Sequence, residues 1–204
     1  ALQAGETLGC MTRHTLMSTM TVLGAPGEVY LLTHSALRAN LGLPTSACVE
    51  LIDPLTLKTR YRSPRLKGGP MWPGGMAIHR NGDLYVVYGR YAHRLNRACE
   101  PLAIHRLPVD LPYNSFVILE NGLLVTKNLS DSVQARISVL DPQTLQPVCS
   151  DIECAEPSIA RLSSVGNTLY VVGVRPILRY HWDAAQHTLV RDPDWHFDYI
   201  GESS

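Results

Sequence analysis

A chain of 204 residues, 45% apolar and 18% charged, can bury a sizeable core and is not a disordered tail. Its 18 basic and 18 acidic side chains balance, which excludes a basic field for nucleic acid and an acidic block. The longest apolar runs, such as Leu169-Tyr170-Val171-Val172, are far too short to span a membrane.

The sequence begins at Ala1 rather than Met, so it reads as the start of a processed chain or as an interior start, and localisation stays open. The first strand-like segment is Gly27-Glu28-Val29-Tyr30-Leu31-Leu32. Residues 35–42 read as one or two helical turns inside a longer loop. Asp53-Pro54-Leu55-Thr56-Leu57 then forms a turn, in which Asp accepts backbone hydrogen bonds and Pro presets φ. Gly82-Asp83-Leu84-Tyr85-Val86-Val87 repeats the first strand motif and follows Asn81-Gly82, a hairpin signal. The motif returns at Gly122-Leu123-Leu124-Val125 and at Gly166-Asn167-Thr168-Leu169-Tyr170-Val171-Val172. The turn motif returns at Asp141-Pro142-Gln143-Thr144-Leu145, with Asn96 and Asp183 in the equivalent places. Positions 53, 96, 141 and 183 are spaced 43, 45 and 42 residues apart.

Each unit therefore reads as four short strands. In the third they are Phe116–Leu119, Leu123–Thr126, Ile137–Leu140 and a last strand near Pro147-Val148-Cys149. His79 and His93 fall in strands of the second unit, expected at the surface or partly packed, and His196 falls in a final strand that places Trp195, Phe197 and Tyr199 on one face. Four-stranded units repeating every 40–45 residues point to an all-β fold, a β-propeller of about four blades. A β-sandwich does not require the same turn chemistry at a fixed period. The approximate blades are 18–66, 74–110, 114–155 and 157–200 of a single domain. The repeat reaches a fifth entry at Ile200-Gly201-Glu202, so the chain is expected to form part of a larger ring whose open faces favour self-association.

The Gly-Asp-Leu-Tyr-Val-Val strand followed by Leu-Asp-Pro-x-Thr-Leu resembles the repeats of the YVTN, quinoprotein-like, NHL and gluconolactonase-type propellers over about residues 18–200. No Gly-His…Trp-Asp pattern accompanies it, which disfavours the WD type. The resemblance implies ligand binding on the face shared by the loops that enter each first strand and those that join the second strand to the third. Those entries carry Trp72, Tyr113, Asn114 and Glu156; the joining loops carry His34, Tyr88, Arg90, Lys127, Asn128, Asp131 and Arg175. Trp72, Tyr113, Asn114, Arg90, Lys127 and Arg175 are the candidate ligand-binding residues, with Trp72 either a wall over the ligand or packing between blades.

Two functions stay open. One is a non-catalytic module that binds a small polar ligand or a protein partner. The other is the calcium-dependent hydrolase that the gluconolactonase resemblance implies, with Glu156 and Asn114 as oxygen ligands of the metal. No HExxH, nucleophile elbow, P-loop or CxxC occurs. The five cysteines read mainly as buried thiols, with Cys149 and Cys154 near enough in sequence to pair if the chain turns back.

Overall fold

A computed structural model describes residues 17–35, 41, 43, 46–68, 73–129, 135–156 and 161–199. Residues 36–40, expected to form helical turns, lie outside the described residues, as do Trp72 and Asp131. Sixteen strands occur in chain order, with no helix among the described residues. They form four antiparallel sheets of four strands, each a simple meander. The first holds β1 (Met17–Leu23), β2 (Val29–Ser35), β3 (Ala47–Ile52) and β4 (Thr59–Arg62). The second holds β5 (Pro73–Ile78), β6 (Leu84–Tyr88), β7 (Tyr91–Leu95) and β8 (Pro101–Arg106). The third holds β9 (Tyr113–Ile118), β10 (Leu124–Asn128), β11 (Ala135–Leu140) and β12 (Ile152–Cys154). The fourth holds β13 (Arg161–Val165), β14 (Thr168–Val172), β15 (Pro176–Asp183) and β16 (Thr188–Asp198).

Turn chemistry fixes this repeat. Asp53, Asn96, Asp141 and Asp183 each accept backbone N–H bonds, two or three residues on, at 2.7–3.0 Å. Each of these turns then places a non-glycine residue in the left-handed region: Leu57, Cys99, Leu145 and His187, with φ of 55–63°. At the same end of the sheets, in the turns between first and second strands, Gly82 and Gly122 take φ near 90°, with the N–H of each donating back to the third residue before it. A side chain at these two positions would be strained.

The sheets stack in sequence, β1 against β5, β5 against β9, β9 against β13. This is the propeller arrangement. Three apolar layers fill the gaps. Tyr30, Leu32 and Val49 meet Leu84, Val86 and Tyr88; Tyr85 and Val87 meet Phe116, Leu124 and Leu140; Val125, Ile137 and Val139 meet Leu169, Val171 and Tyr180. Each such side chain contributes about 1.5–3 kcal/mol on burial. The inner strands approach closely because β5 carries Gly75, where a Cβ would stand 2.5 Å from the Phe116 nitrogen. Among the described residues no comparable packing joins β13 back to β1.

Three sequence expectations are corrected. The last strand of the third sheet is Ile152–Cys154, and Pro147 makes only an isolated bridge to Leu140. Pro147 has no N–H to extend the ladder, and Asp151 instead takes the Ser138 hydroxyl at 2.7 Å, so pairing resumes one residue later. His79 and His93 are buried rather than at the surface. His79 bonds the Gly122 carbonyl of the next sheet at 3.1 Å, and His93 bonds the Lys67 carbonyl at 2.6 Å. Finally, His34, Tyr88, Lys127 and Asn128 belong to strands and are buried rather than held in loops. The four described cysteines, Cys48, Cys99, Cys149 and Cys154, are free thiols.

Candidate ligand site between the third and fourth sheets

Register shows where the repeat changes character. Leu32, Val87 and Val172 occupy one position of the second strand, each facing across its sheet to Val49, Ala92 or Ile177. In the third sheet the same position, opposite Ile137, is Lys127. Its side chain is fully buried. Thr126 and Asn128 flank it, also fully buried, where β6 has Val86 and Tyr88. The fold itself accepts valine at this place, so an ammonium there needs another reason: a buried charge is costly unless its surroundings are polar.

The surroundings are polar. Asn114 stands opposite Lys127 in β9, next to a bulge in the ladder. Beside it Ser115 adopts φ 60°, rare for a non-glycine residue. Bulges and strained residues of this kind gather next to functional sites. Ser115 is held by the Thr126 hydroxyl donating to its carbonyl at 2.7 Å, and its own hydroxyl accepts from Leu162 N at 3.3 Å. The Lys127 ammonium donates to the Asn128 carbonyl at 3.2 Å. The Asn128 side chain in turn accepts from Arg136 N at 2.6 Å, which fixes the mouth of the β10–β11 connection.

Glu156 completes the group. It is buried, and its carboxylate lies against Gly173, where a Cβ would push it aside. Burial holds the Lys127 ammonium below the usual lysine range, an effect opposed by nearby Cys154 and Glu156. Burial likewise pushes the Cys154 thiol and the Tyr180 phenol upward. Lysine, glutamate, thiol and phenol thus share one desolvated space at the loop end of the third interface.

The candidate residues from the sequence divide. Asn114, Lys127 and Glu156 come together here. Arg90 pairs with Asp110, which also binds Arg106, on the second sheet. Arg175 pairs with Asp198 at 3.5 Å and is exposed. Tyr113 is interior: its hydroxyl accepts from Val109 N at 3.1 Å, and burial pushes it up to about 12. Cys154, Tyr180, Gly173 and Ser115 were not named as site residues from the sequence, where Cys154 was read only as a thiol that could pair with Cys149. The available signal was the replacement of Val-Val-Tyr by Thr126-Lys127-Asn128 within the repeat.

Calcium takes six or more oxygens. Glu156 and Asn114 supply two, with an ammonium beside one of them. Among the described residues no three His, Cys, Asp or Glu side chains converge on a metal. This pair does not by itself fit a calcium ion.

No protein-family model matches the chain, nor does any curated protein. Solved structures share its fold. A provisionally assigned 6-phosphogluconolactonase from Bacteroides fragilis superposes with a TM-score of 0.58 at 15% identity, covering 89% of this chain and 55% of its own. A provisionally assigned gluconolactonase gives 0.52 at 16% identity, covering 84% of this chain and 58% of its own. BBS1N, solved in complex with ARL6DN, gives 0.54 at 14% identity, covering 90% of this chain and 53% of its own. The chain thus spans little more than half the length of these proteins. At such identities the likeness is one of fold, and it supports the all-β propeller reading.

Proposed function

We propose that the loop end of the interface between the third and fourth sheets binds a small polar ligand carrying an anionic group. Lys127 would meet the anion, and Glu156, Asn114 and Asn128 would read its hydroxyls. The observation that carries this reading is the buried Lys127 at a place where sister strands hold Leu32, Val87 and Val172. Thermal melting with gluconate and 6-phosphogluconate tests it. A ligand at one hundred times its Kd stabilises by about 2.7 kcal/mol, a rise of several degrees, and Lys127→Met should abolish that rise. If neither ligand shifts the wild-type melt, or both shift the variant equally, the reading fails. A segment of a partner protein is the other occupant considered; such a complex would show no response to either acid.

A second reading is hydrolysis of a sugar lactone, supported by the fold likeness to the two lactonases. Water would add to the lactone carbonyl, Glu156 taking its proton and Lys127 stabilising the oxyanion until the ring C–O bond breaks. The ring oxygen leaves with a proton as the hydroxy acid forms. Proton release from glucono-δ-lactone above the uncatalysed rate, lost in Glu156→Gln, would support it; a rate equal to buffer would end it. Repeating the assay with calcium and with chelator tests whether further ligands complete a metal site.

A further inference from the structure

Tyr30, Tyr85, Tyr113 and Tyr180 are all fully buried. Three of them tie their hydroxyls to backbone. The Tyr30 hydroxyl donates to the Arg97 carbonyl at 3.0 Å and that of Tyr85 to the Pro142 carbonyl at 2.8 Å, while that of Tyr113 accepts from Val109 N at 3.1 Å. The Tyr180 hydroxyl has no hydrogen-bond partner. The Cys154 thiol and the Ala155 backbone lie near it, neither at hydrogen-bond geometry. Buried polar groups are paired in the great majority of cases, so an orphan of this kind calls for an explanation.

Packing does not require a tyrosine at this place. Tyr180 stands opposite Leu169 in the ladder of the fourth sheet. The same place in the other sheets, opposite Val29, Leu84 and Leu124, holds Ile52, Leu95 and Leu140. All three are buried, so the fold accepts an aliphatic side chain there, with no polar atom to satisfy. Tyr180 packs into the layer between the third and fourth sheets, together with Val125, Ile137 and Cys154. The Cys154 thiol beside the phenol is also near Lys127 and Glu156. Two departures from the repeat, Lys127 on the third sheet and Tyr180 on the fourth, therefore face the same interface. Burial favours the neutral phenol, which keeps its proton and stays a donor.

We infer that Tyr180 is a further ligand-binding residue of this site, its hydroxyl donating to an acceptor oxygen of the anionic ligand that Lys127 meets. The inference rests on the reading of Lys127, Glu156 and Asn114 as a binding site and narrows what that site takes. An ammonium and a hydroxyl donor beside one carboxylate suit an oxyanion that also carries hydroxyl groups, whereas an apolar ligand would leave the phenol orphaned. Removing the hydroxyl then acts in opposite directions on the two states. The free protein loses an unsatisfied buried atom, and the complex loses a hydrogen bond. A tyrosine with a structural role alone would show neither effect.

Tyr180→Phe, which keeps the ring, tests this by melting without ligand and by calorimetric titration with 6-phosphogluconate, each beside wild type. The expected result is a melting temperature equal to or above that of wild type, with the Kd for 6-phosphogluconate weakened about tenfold. A melting temperature lower by more than a few degrees would show that the hydroxyl is satisfied in the free protein and would overturn the inference. An unchanged Kd in Tyr180→Phe, with binding still lost in Lys127→Met, would also overturn it while leaving the proposed site standing. Failure of wild type to bind either gluconate or 6-phosphogluconate would remove the site and the inference together.

Discussion

Lys127 shows how a single residue departs from a repeat while the fold stays intact. Its neighbours in register are Leu32, Val87 and Val172, so the backbone position is compatible with an apolar side chain. Gly173 acts in the same place from the other side, since a Cβ there would overlap the Glu156 carboxylate where it now lies. Gly173→Ala is expected to displace Glu156 and weaken ligand binding more than stability, seen as a larger loss in titration than in melting temperature. His93 gives a pH-dependent prediction. Burial lowers its pKa from 6.5 to about 4, and its ring nitrogen bonds the Lys67 carbonyl at 2.6 Å. Between those two values the unfolded chain binds the extra proton, so stability rises with pH there and is lost as pH falls from 6.5 towards 4. The loss should reach roughly 3 kcal/mol, and His93→Gln, which can still donate to Lys67, should flatten that limb of the stability curve. An unchanged limb would assign acid sensitivity elsewhere.

At the scale of elements, the turns were the most legible part of the sequence. Asp53, Asn96, Asp141 and Asp183 do accept backbone bonds at the four expected places. The sequence did not disclose that the residue closing each turn takes a left-handed conformation, because Leu, Cys and His at positions 57, 99, 145 and 187 are not the Gly or Asn that ordinarily mark it. Leu57 is exposed, so Leu57→Gly should relieve strain on the order of 1 kcal/mol and raise the melting temperature by a few degrees; a decrease would mean that its side chain matters more than its backbone. Strand boundaries were less legible where side chains compete with the ladder, as Pro147 and Asp151 do before β12. Lys127 read as a loop residue because charge is ordinarily a surface signal, and alternation cannot announce a buried lysine. The Gly74-Gly75 pair, read only as part of a loop entry, proves to be a packing device between β5 and β9. Gly75→Ala should cost about 2–3 kcal/mol, measurable by urea unfolding.

For the molecule as a whole, the same blade sequence meets three environments. Between neighbours it gives a dry apolar layer, as at Tyr85 and Phe116. Between the third and fourth sheets the layer holds buried polar side chains at its loop end, and Tyr170 and Val172 on the other side of the fourth sheet are half-buried. If the buried Lys127 and Glu156 serve ligand binding, removing both charges together leaves no stranded ion and should spare the fold. The double variant Lys127→Met/Glu156→Gln, melted alone and with 6-phosphogluconate, therefore decides most directly between a site and a structural ion pair. A melting temperature within a few degrees of wild type, or above it, together with loss of the ligand response, is the predicted result; a large fall in melting temperature, or a retained ligand response, would contradict it.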